Sequence, residues 1–175
     1  MAIKEILLLG NPLLRKKCDR VKKIADVSNQ ETILDLQDTL NHFRRNHGFG
    51  RGIAAPQIGV LKRIIFINID ESIALINPKI IAHSKTKMTL WDDCFSFPDI
   101  LAKVKRYSKV TLTYTTSEGA KKRVHAEGGF SELLQHEIDH LDGILAIDRA
   151  IDSRHIILRS EYEKLIPTKK DIQML

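Results

Sequence analysis

Residues 135–143 have the sequence Gln-His-Glu-Ile-Asp-His-Leu-Asp-Gly, and this stretch predicts a helix that carries a metal site. His136 and His140 are four residues apart, so both imidazoles lie on one face of a helix and can bind one metal ion. Glu137 follows the first histidine and can reach a water molecule at that metal as a general base. Leucines on both sides indicate that the helix packs against the core, where buried polar side chains need partners such as a metal.

A third ligand for this metal has more than one candidate. In one class of zinc peptidases it is a histidine, but Ala146 stands at the corresponding position, which excludes that class. In another class it is a glutamate further along the chain, and Glu161 or Glu163 can serve. Cys94 is the competing candidate, because its neighbours in residues 92–98 are polar and turn-like, a poor setting for a core cysteine.

Residues 50–57, Gly-Arg-Gly-Ile-Ala-Ala-Pro-Gln, form a second unusual stretch. Its glycines do not have the spacing of a dinucleotide-binding fingerprint. Small residues that run into Pro56 let a ligand approach the backbone closely. Gln57 would then be a neutral hydrogen-bond donor that points into the site.

The composition predicts one globular domain that spans residues 1–175. Apolar residues make up 43% of the chain and charged residues 29%, which excludes a disordered or collagen-like protein. The net charge is +6, but the lysines and arginines are scattered in pairs, which favours a solvated surface over a nucleic-acid site. Two cysteines make no disulfide framework and the apolar runs are short, so we expect a cytoplasmic protein without a membrane span.

Hydrophobic spacing and turn residues predict the order of helices and strands. The predicted helices are residues 30–46, 131–141 and 152–165. The predicted strands are residues 62–69, 79–83, 110–115 and 121–126. Ser28 and Glu31 have the capping-box spacing that opens the first helix, and Asn77-Pro78 is expected to break a strand. Because turns rather than crossover helices join the strands, we expect an α+β fold with mostly antiparallel sheets.

Taken together, three stretches of the chain resemble the motifs of the peptide deformylase family. Residues 50–57 match its glycine-rich loop, GxGhAAPQ, and residues 135–143 match its helix, QHExDHLxG. Residues 92–96, Asp-Asp-Cys-Phe-Ser, resemble its second motif, EGCLS. The resemblance implies a compact α+β domain in which mostly antiparallel sheets surround a central metal-binding helix.

The resemblance also implies an activity, the removal of the formyl group from the N-terminal formylmethionine of new polypeptides. It implies three metal ligands: Cys94, His136 and His140. The metal would be Fe2+, for which Zn2+, Ni2+ or Co2+ can substitute, with water in the fourth position. Glu137 would move the proton, while the Gln57 amide and the backbone N–H of Phe95 would stabilise the oxyanion.

Substrate contacts and partners follow from the same resemblance. The residues implied to contact the substrate are Arg51, Gly52, Asp93, Gly129, Glu132 and Leu133. The peptide would bind as an added strand along the backbone of Arg51 and Asp93. Expected partners are formylated nascent peptides and the ribosome near its exit site, with no membrane and no specific nucleic-acid sequence. Arg106 is expected to pair with Asp139 and so to orient the metal helix.

The chain departs from the family at several positions. In the second motif Asp92 replaces glutamate, Asp93 replaces glycine and Phe95 replaces leucine. Asp93 is expected to add negative charge near the metal and to raise the pKa of its water, and it replaces a residue that tolerates positive φ. Gly129 and Glu132 stand where apolar side chains usually line the methionine pocket, which predicts an altered side-chain preference.

Two other functions stay open as alternatives. The first is a zinc peptidase that uses His136, His140 and Glu161. The second is a deformylase-like protein that acts on another N-blocked substrate, or that binds peptide or ribosomal RNA without catalysis.

Overall fold

A buried helix lies between two antiparallel sheets in the computed structural model, which describes residues 2–165. The helices are α1 (Val27–His47), α2 (Gly128–Leu141) and α3 (Arg159–Leu165). Short 3-10 helices occupy Pro12–Arg15, Ala55–Ile58, Ala146–Arg149 and Ser153–His155. The strands are β1 (Gly52–Ala54), β2 (Ile64–Asn68), β3 (Ser72–His83), β4 (Lys87–Asp93), β5 (Ile100–Tyr107), β6 (Lys109–Thr115), β7 (Lys121–Glu127) and β8 (Ile156–Leu158).

The strands form two sheets, one of five strands in the order β1-β2-β3-β6-β7 and one of three in the order β4-β5-β8. Neighbouring strands are antiparallel in both sheets. The predicted α+β class with mostly antiparallel sheets around a central helix is therefore confirmed. The predicted single domain of residues 1–175 includes residue 1 and residues 166–175, which lie outside the described residues.

Strand β2 of the five-stranded sheet is buried on both of its faces. Ile65 and Ile67 pack against the core that α2 covers, while Ile64 and Phe66 pack against the core that α1 covers. Side chains alternate between the faces of a strand, so a strand covered on both sides has a continuous apolar sequence. Helix α2 thus has its apolar side against this sheet, and almost its whole length is buried.

Two predicted boundaries are wrong because other polar groups satisfy the backbone. Helix α1 begins at Val27 rather than at residue 30, since the Asp26 side chain accepts a hydrogen bond from the Ser28 N–H and caps the helix earlier than the predicted capping box. Asn77 does not break its strand. It has a φ of 52° at a bulge in β3, where its side-chain amide exchanges two hydrogen bonds of 2.9 Å with the Val21 backbone.

The C-terminal part of the described chain also differs from its prediction. The predicted helix 152–165 is a 3-10 turn, the strand β8 and then the short helix α3. Strand β8 pairs with β5, whose backbone would otherwise lack partners on that side. Strands β4 and β5 were not predicted. Within residues 2–165, none of the helices has the length and apolar composition needed to cross a bilayer.

Candidate active site

The two histidines of α2 meet a cysteine that comes from the other sheet. Cys94 directly follows β4, and its sulfur lies 3.2 Å from Nε2 of His140. All three residues are buried, and their donor atoms lie within 4.8 Å of one another. Metal–ligand bonds of about 2.0–2.3 Å in a tetrahedron place donor atoms roughly 3.5 Å apart, so this cluster fits one metal ion.

A hydrogen bond fixes the orientation of His136. Its Nδ1 donates to Asp92 at 2.7 Å, which turns Nε2 towards Cys94. Burial opposes the charged carboxylate, yet the neighbouring His136 and Arg106 hold the pKa of Asp92 below its usual range. For His140, burial and the nearby His136 hold the pKa well below its usual range, which keeps the imidazole neutral as a metal ligand must be.

Behind the histidines, Arg106 connects the two sides of the site. The guanidinium is 4% exposed, donates to Asp92 at 2.9 Å and also donates to Asp139 on α2. Arg149 also donates a hydrogen bond to the Asp139 carboxylate at 2.8 Å. The structure contains the predicted pair of Arg106 with Asp139. The roles of Asp92 and Arg149 were missed, although an acidic residue two positions before a ligating cysteine was a usable signal.

Glu137 points into the space beside the ligand cluster. It is buried, and its Oε2 atom has no hydrogen-bond partner within the described part of the chain. Burial raises the pKa of this carboxyl to about 7, and the nearby negative charges of Glu132 and Asp92 add to the rise. A Cβ at position 52 would lie only 3.0 Å from the Glu137 Oε1 atom, so Gly52 lets the backbone approach the carboxylate.

Gln57 presents its side-chain N–H group to the cluster. The side-chain oxygen accepts a hydrogen bond from the Ala54 N–H at 2.9 Å, which sets the orientation of the amide. Its Nε2 then faces Cys94 at 3.6 Å and the Ser96 hydroxyl at 3.3 Å. The Phe95 ring stacks on Phe43 of α1 at 4.0 Å between centroids, which anchors the residue that follows Cys94.

The structure shows the partner and the backbone conformation of Asp93. Its carboxylate pairs with Arg159 of α3 at 2.8 Å, so the negative charge expected near the metal is offset by a cation. Among the described non-glycine residues only Asn77 has a positive φ, so the backbone at position 93 does not require glycine.

A pocket of about 400 Å³ opens beside Glu137. Its lining includes the candidate ligands Cys94 and His136, the amide of Gln57, and Arg51, Gly52, Asp93, Glu132 and Leu133. Gly129 is not part of this lining, but its carbonyl oxygen accepts a hydrogen bond from Arg51 at 3.0 Å. Five of the six residues predicted to contact substrate thus line one pocket, and the sixth contacts one of them.

The zinc-peptidase alternative requires Glu161 as a ligand. Glu161 lies on α3, is half exposed, and pairs with Lys164 at 2.6 Å. Among residues 2–165, the only cluster of possible ligands that contains both histidines is completed by Cys94. The structure therefore does not support the peptidase arrangement.

Two ring nitrogens and a sulfur that can hold a metal, next to a buried carboxylate and an amide donor, define a metal-dependent hydrolase. The polypeptide deformylase family matches residues 3–155. A peptide deformylase from Brachyspira hyodysenteriae is 34% identical over 93% of this chain and 89% of its own length. One from Natranaerobius thermophilus is 39% identical over 86% of this chain and 94% of its own.

Solved structures agree with the sequence relatives. The crystal structure of a peptide deformylase from Legionella pneumophila has a TM-score of 0.81 and 33% identity, and covers 99% of this chain and 98% of its own. That from Thermotoga maritima has a TM-score of 0.80 and 31% identity, and covers 87% of this chain and 100% of its own. The chain belongs to the polypeptide deformylase family, whose members are hydrolases that remove the N-terminal formyl group of newly made peptides.

Proposed function

We propose that Cys94, His136 and His140 hold the catalytic metal of this deformylase, and that the metal is Fe2+, with Zn2+, Ni2+ or Co2+ as substitutes. The observation that carries the proposal is the convergence of these three donors beside the unpartnered oxygen of Glu137. One sulfur and two imidazoles form a donor set that accepts all four ions. When bound, the metal supplies Lewis acidity, which polarises the formyl carbonyl and favours ionisation of water.

Glu137 is the proton carrier of the reaction. Its buried carboxylate accepts the proton of the attacking water and returns it to the amine that leaves. Burial raises the pKa of this carboxyl from the usual glutamate range towards neutral, which suits a group that both takes up and releases a proton. The formyl carbon is attacked in the space between this carboxylate and the ligand cluster.

Two N–H groups stabilise the negative charge that develops on the formyl oxygen. The Gln57 side-chain amide is held in place before substrate arrives, because its oxygen is already bonded to the Ala54 backbone. The backbone N–H of Phe95 is the second donor, positioned by the ring stacking on Phe43. Preorganised donors of this kind are worth about 10²–10³ in turnover each.

The peptide binds between two sheet edges. Strand β1 is the last strand of one sheet and β4 the last strand of the other, and both adjoin the pocket. An extended peptide can therefore add to the backbone near Arg51 and Asp93 by strand addition. Its source is the nascent chain in the cytoplasm, with the enzyme near the ribosomal exit site.

The test is deformylation of a formyl-Met-Ala-Ser peptide by protein that is purified without oxygen and loaded with Fe2+. Glu137→Gln should bind the metal stoichiometrically and lose about 10²–10⁴-fold in turnover, because the general base is gone. Glu127→Gln is the matched control, since Glu127 is exposed and, among residues 2–165, forms an ion pair with Lys109 alone. An unmodified protein with full metal occupancy and no turnover would contradict the proposal.

A further inference from the structure

The pocket beside Glu137 contains an ion pair. An apolar substrate side chain that binds there would need an apolar lining instead. Arg51 and Glu132 line the pocket, and the guanidinium Nη2 lies 2.5 Å from the carboxylate. An inference about the substrate from this pair rests on the proposed function, because it assumes that the peptide is attacked next to Glu137. The residue that carries the formyl group must then place its side chain against this pair.

The two partners of the ion pair differ in burial. The Glu132 side chain is 6% exposed, whereas that of Arg51 is 45% exposed. Arg51 can therefore return to water at little cost, but a carboxylate left behind without a cation is strongly unfavourable. A ligand that displaces Arg51 must bring a positive charge of its own.

The backbone around the pair accommodates the guanidinium. A Cβ at position 129 would lie 3.3 Å from the Arg51 Nη1 atom, so the glycine at this place leaves room for Arg51. The Gly129 carbonyl also accepts a hydrogen bond from that nitrogen at 3.0 Å. The space at Gly129 and the carboxylate of Glu132 together hold a cationic group, which is the Arg51 guanidinium in this structure.

Two other charged side chains that line the pocket, those of Asp93 and Arg44, have partners of their own and do not compete for this place. Asp93 pairs with Arg159, and Arg44 donates to the Asn68 carbonyl oxygen at 3.0 Å. Leu133 supplies an apolar surface next to Glu132. A lysine-like side chain has an apolar stem and a charged end, which suits one apolar and one acidic group in the same pocket.

We propose that the pocket extends deformylation to formyl peptides whose first side chain is cationic, with the ammonium group replacing the Arg51 guanidinium on Glu132. Glu132 is then the residue that determines specificity for charge. A thioether or hydrocarbon side chain gains no such partner and lies against a charged wall.

The first experiment compares kcat/KM of the metal-loaded protein on formyl-Xaa-Ala-Ser peptides. The first residue is methionine, norleucine, lysine or Nε-acetyl-lysine, so the last two differ in charge on similar stems. We expect the lysine peptide to be cleaved at least as fast as the norleucine peptide, and about tenfold or more faster than the acetyl-lysine peptide. Faster cleavage of norleucine than of lysine overturns the inference while deformylation itself stands.

The second experiment removes the charge of Glu132 without changing its shape. Glu132→Gln should lower the lysine-to-norleucine ratio of kcat/KM by about 10- to 100-fold, because it removes a hydrogen bond between charged groups. Glu127→Gln, an exposed carboxylate just before α2, should leave that ratio unchanged. An unchanged ratio in Glu132→Gln overturns the inference.

A binding measurement separates this inference from the proposed function. Calorimetry with the deformylated peptides Lys-Ala-Ser and norleucine-Ala-Ser reports on the pocket even where no formyl peptide is cleaved. Tighter binding of Lys-Ala-Ser that is lost in Glu132→Gln supports the charge preference whatever the turnover. Absence of cleavage across the whole panel contradicts the proposed function, and equal binding of the two products contradicts the inference.

Discussion

Asp92→Asn tests whether the carboxylate behind His136 holds the metal site together. The Asp92 side chain is 1% exposed and accepts hydrogen bonds from His136 at 2.7 Å and from Arg106 at 2.9 Å. Asparagine has nearly the same shape, but its neutral amide presents N–H groups where donors already point. Loss of one partner from a buried ion pair costs about 3–5 kcal/mol. Because Arg106 keeps its ion pair with Asp139, we expect the free energy of unfolding to fall by an amount near the lower end of this range, about 3 kcal/mol.

The metal should respond as well, since groups that orient a ligating histidine affect affinity by about 10- to 100-fold. Guanidinium unfolding followed by Trp91 fluorescence measures the stability, because this single tryptophan lies on β4 next to the substitution. Competition with a chelator measures the metal affinity. Asp70→Asn is the matched control at an exposed position. A stability change below about 1 kcal/mol together with unchanged metal affinity would refute the reasoning.

Three further predictions concern the core, the turn after α2 and the second thiol. Leu134→Ala should lower the free energy of unfolding by about 2–5 kcal/mol in urea denaturation, because the Leu134 side chain is fully buried. Gly143→Ala should lower the melting temperature far more than Gly119→Ala. Both glycines have positive φ, but a Cβ at Gly143 would lie 2.5 Å from the Arg15 carbonyl oxygen, while one at Gly119 meets nothing within 4 Å. Equal shifts in the two melts would count against this account. Burial raises the pKa of the Cys18 thiol to about 11, so the folded state holds this proton more tightly than the unfolded state does. The resulting stability is present below about pH 9 and is lost as the pH rises towards 11. Denaturation at about pH 8 and about pH 10.5 measures this loss. The free energy of unfolding should fall less between the two pH values in Cys18→Ala than in the unmodified protein.

Local patterns were sufficient for the parts of the site that lie within one element. The spacing of His136 and His140 predicts a shared helix face, because the helical repeat places residues four apart on one side. The short turns between strands predicted the α+β class, because a short connection limits how two neighbouring strands can pair. Strands β4 and β5 were not predicted from the sequence, because their polar and charged residues interrupt the alternation of apolar and polar residues that indicates a strand.

Sequence reasoning also singled out Arg51, Asp93, Gly129 and Glu132, but not what their side chains do. The partner of Glu132 is Arg51, 81 positions away, and the partner of Asp93 is Arg159, 66 positions away. In each pair an arginine offsets the negative charge of a carboxylate in the pocket, a charge that appears unfavourable when the acidic residue is considered without its partner.

The sequence by itself determined the metal-binding helix, the glycine-rich loop and the fold class, because these depend on contacts within a few residues. Only the tertiary structure shows the Cys94 sulfur beside the two imidazoles, the bond of Asp92 to His136 and the pair of Arg51 with Glu132. Those contacts join different elements. Which side chains meet there depends on how the two sheets pack around α2, and no spacing along the chain encodes that packing.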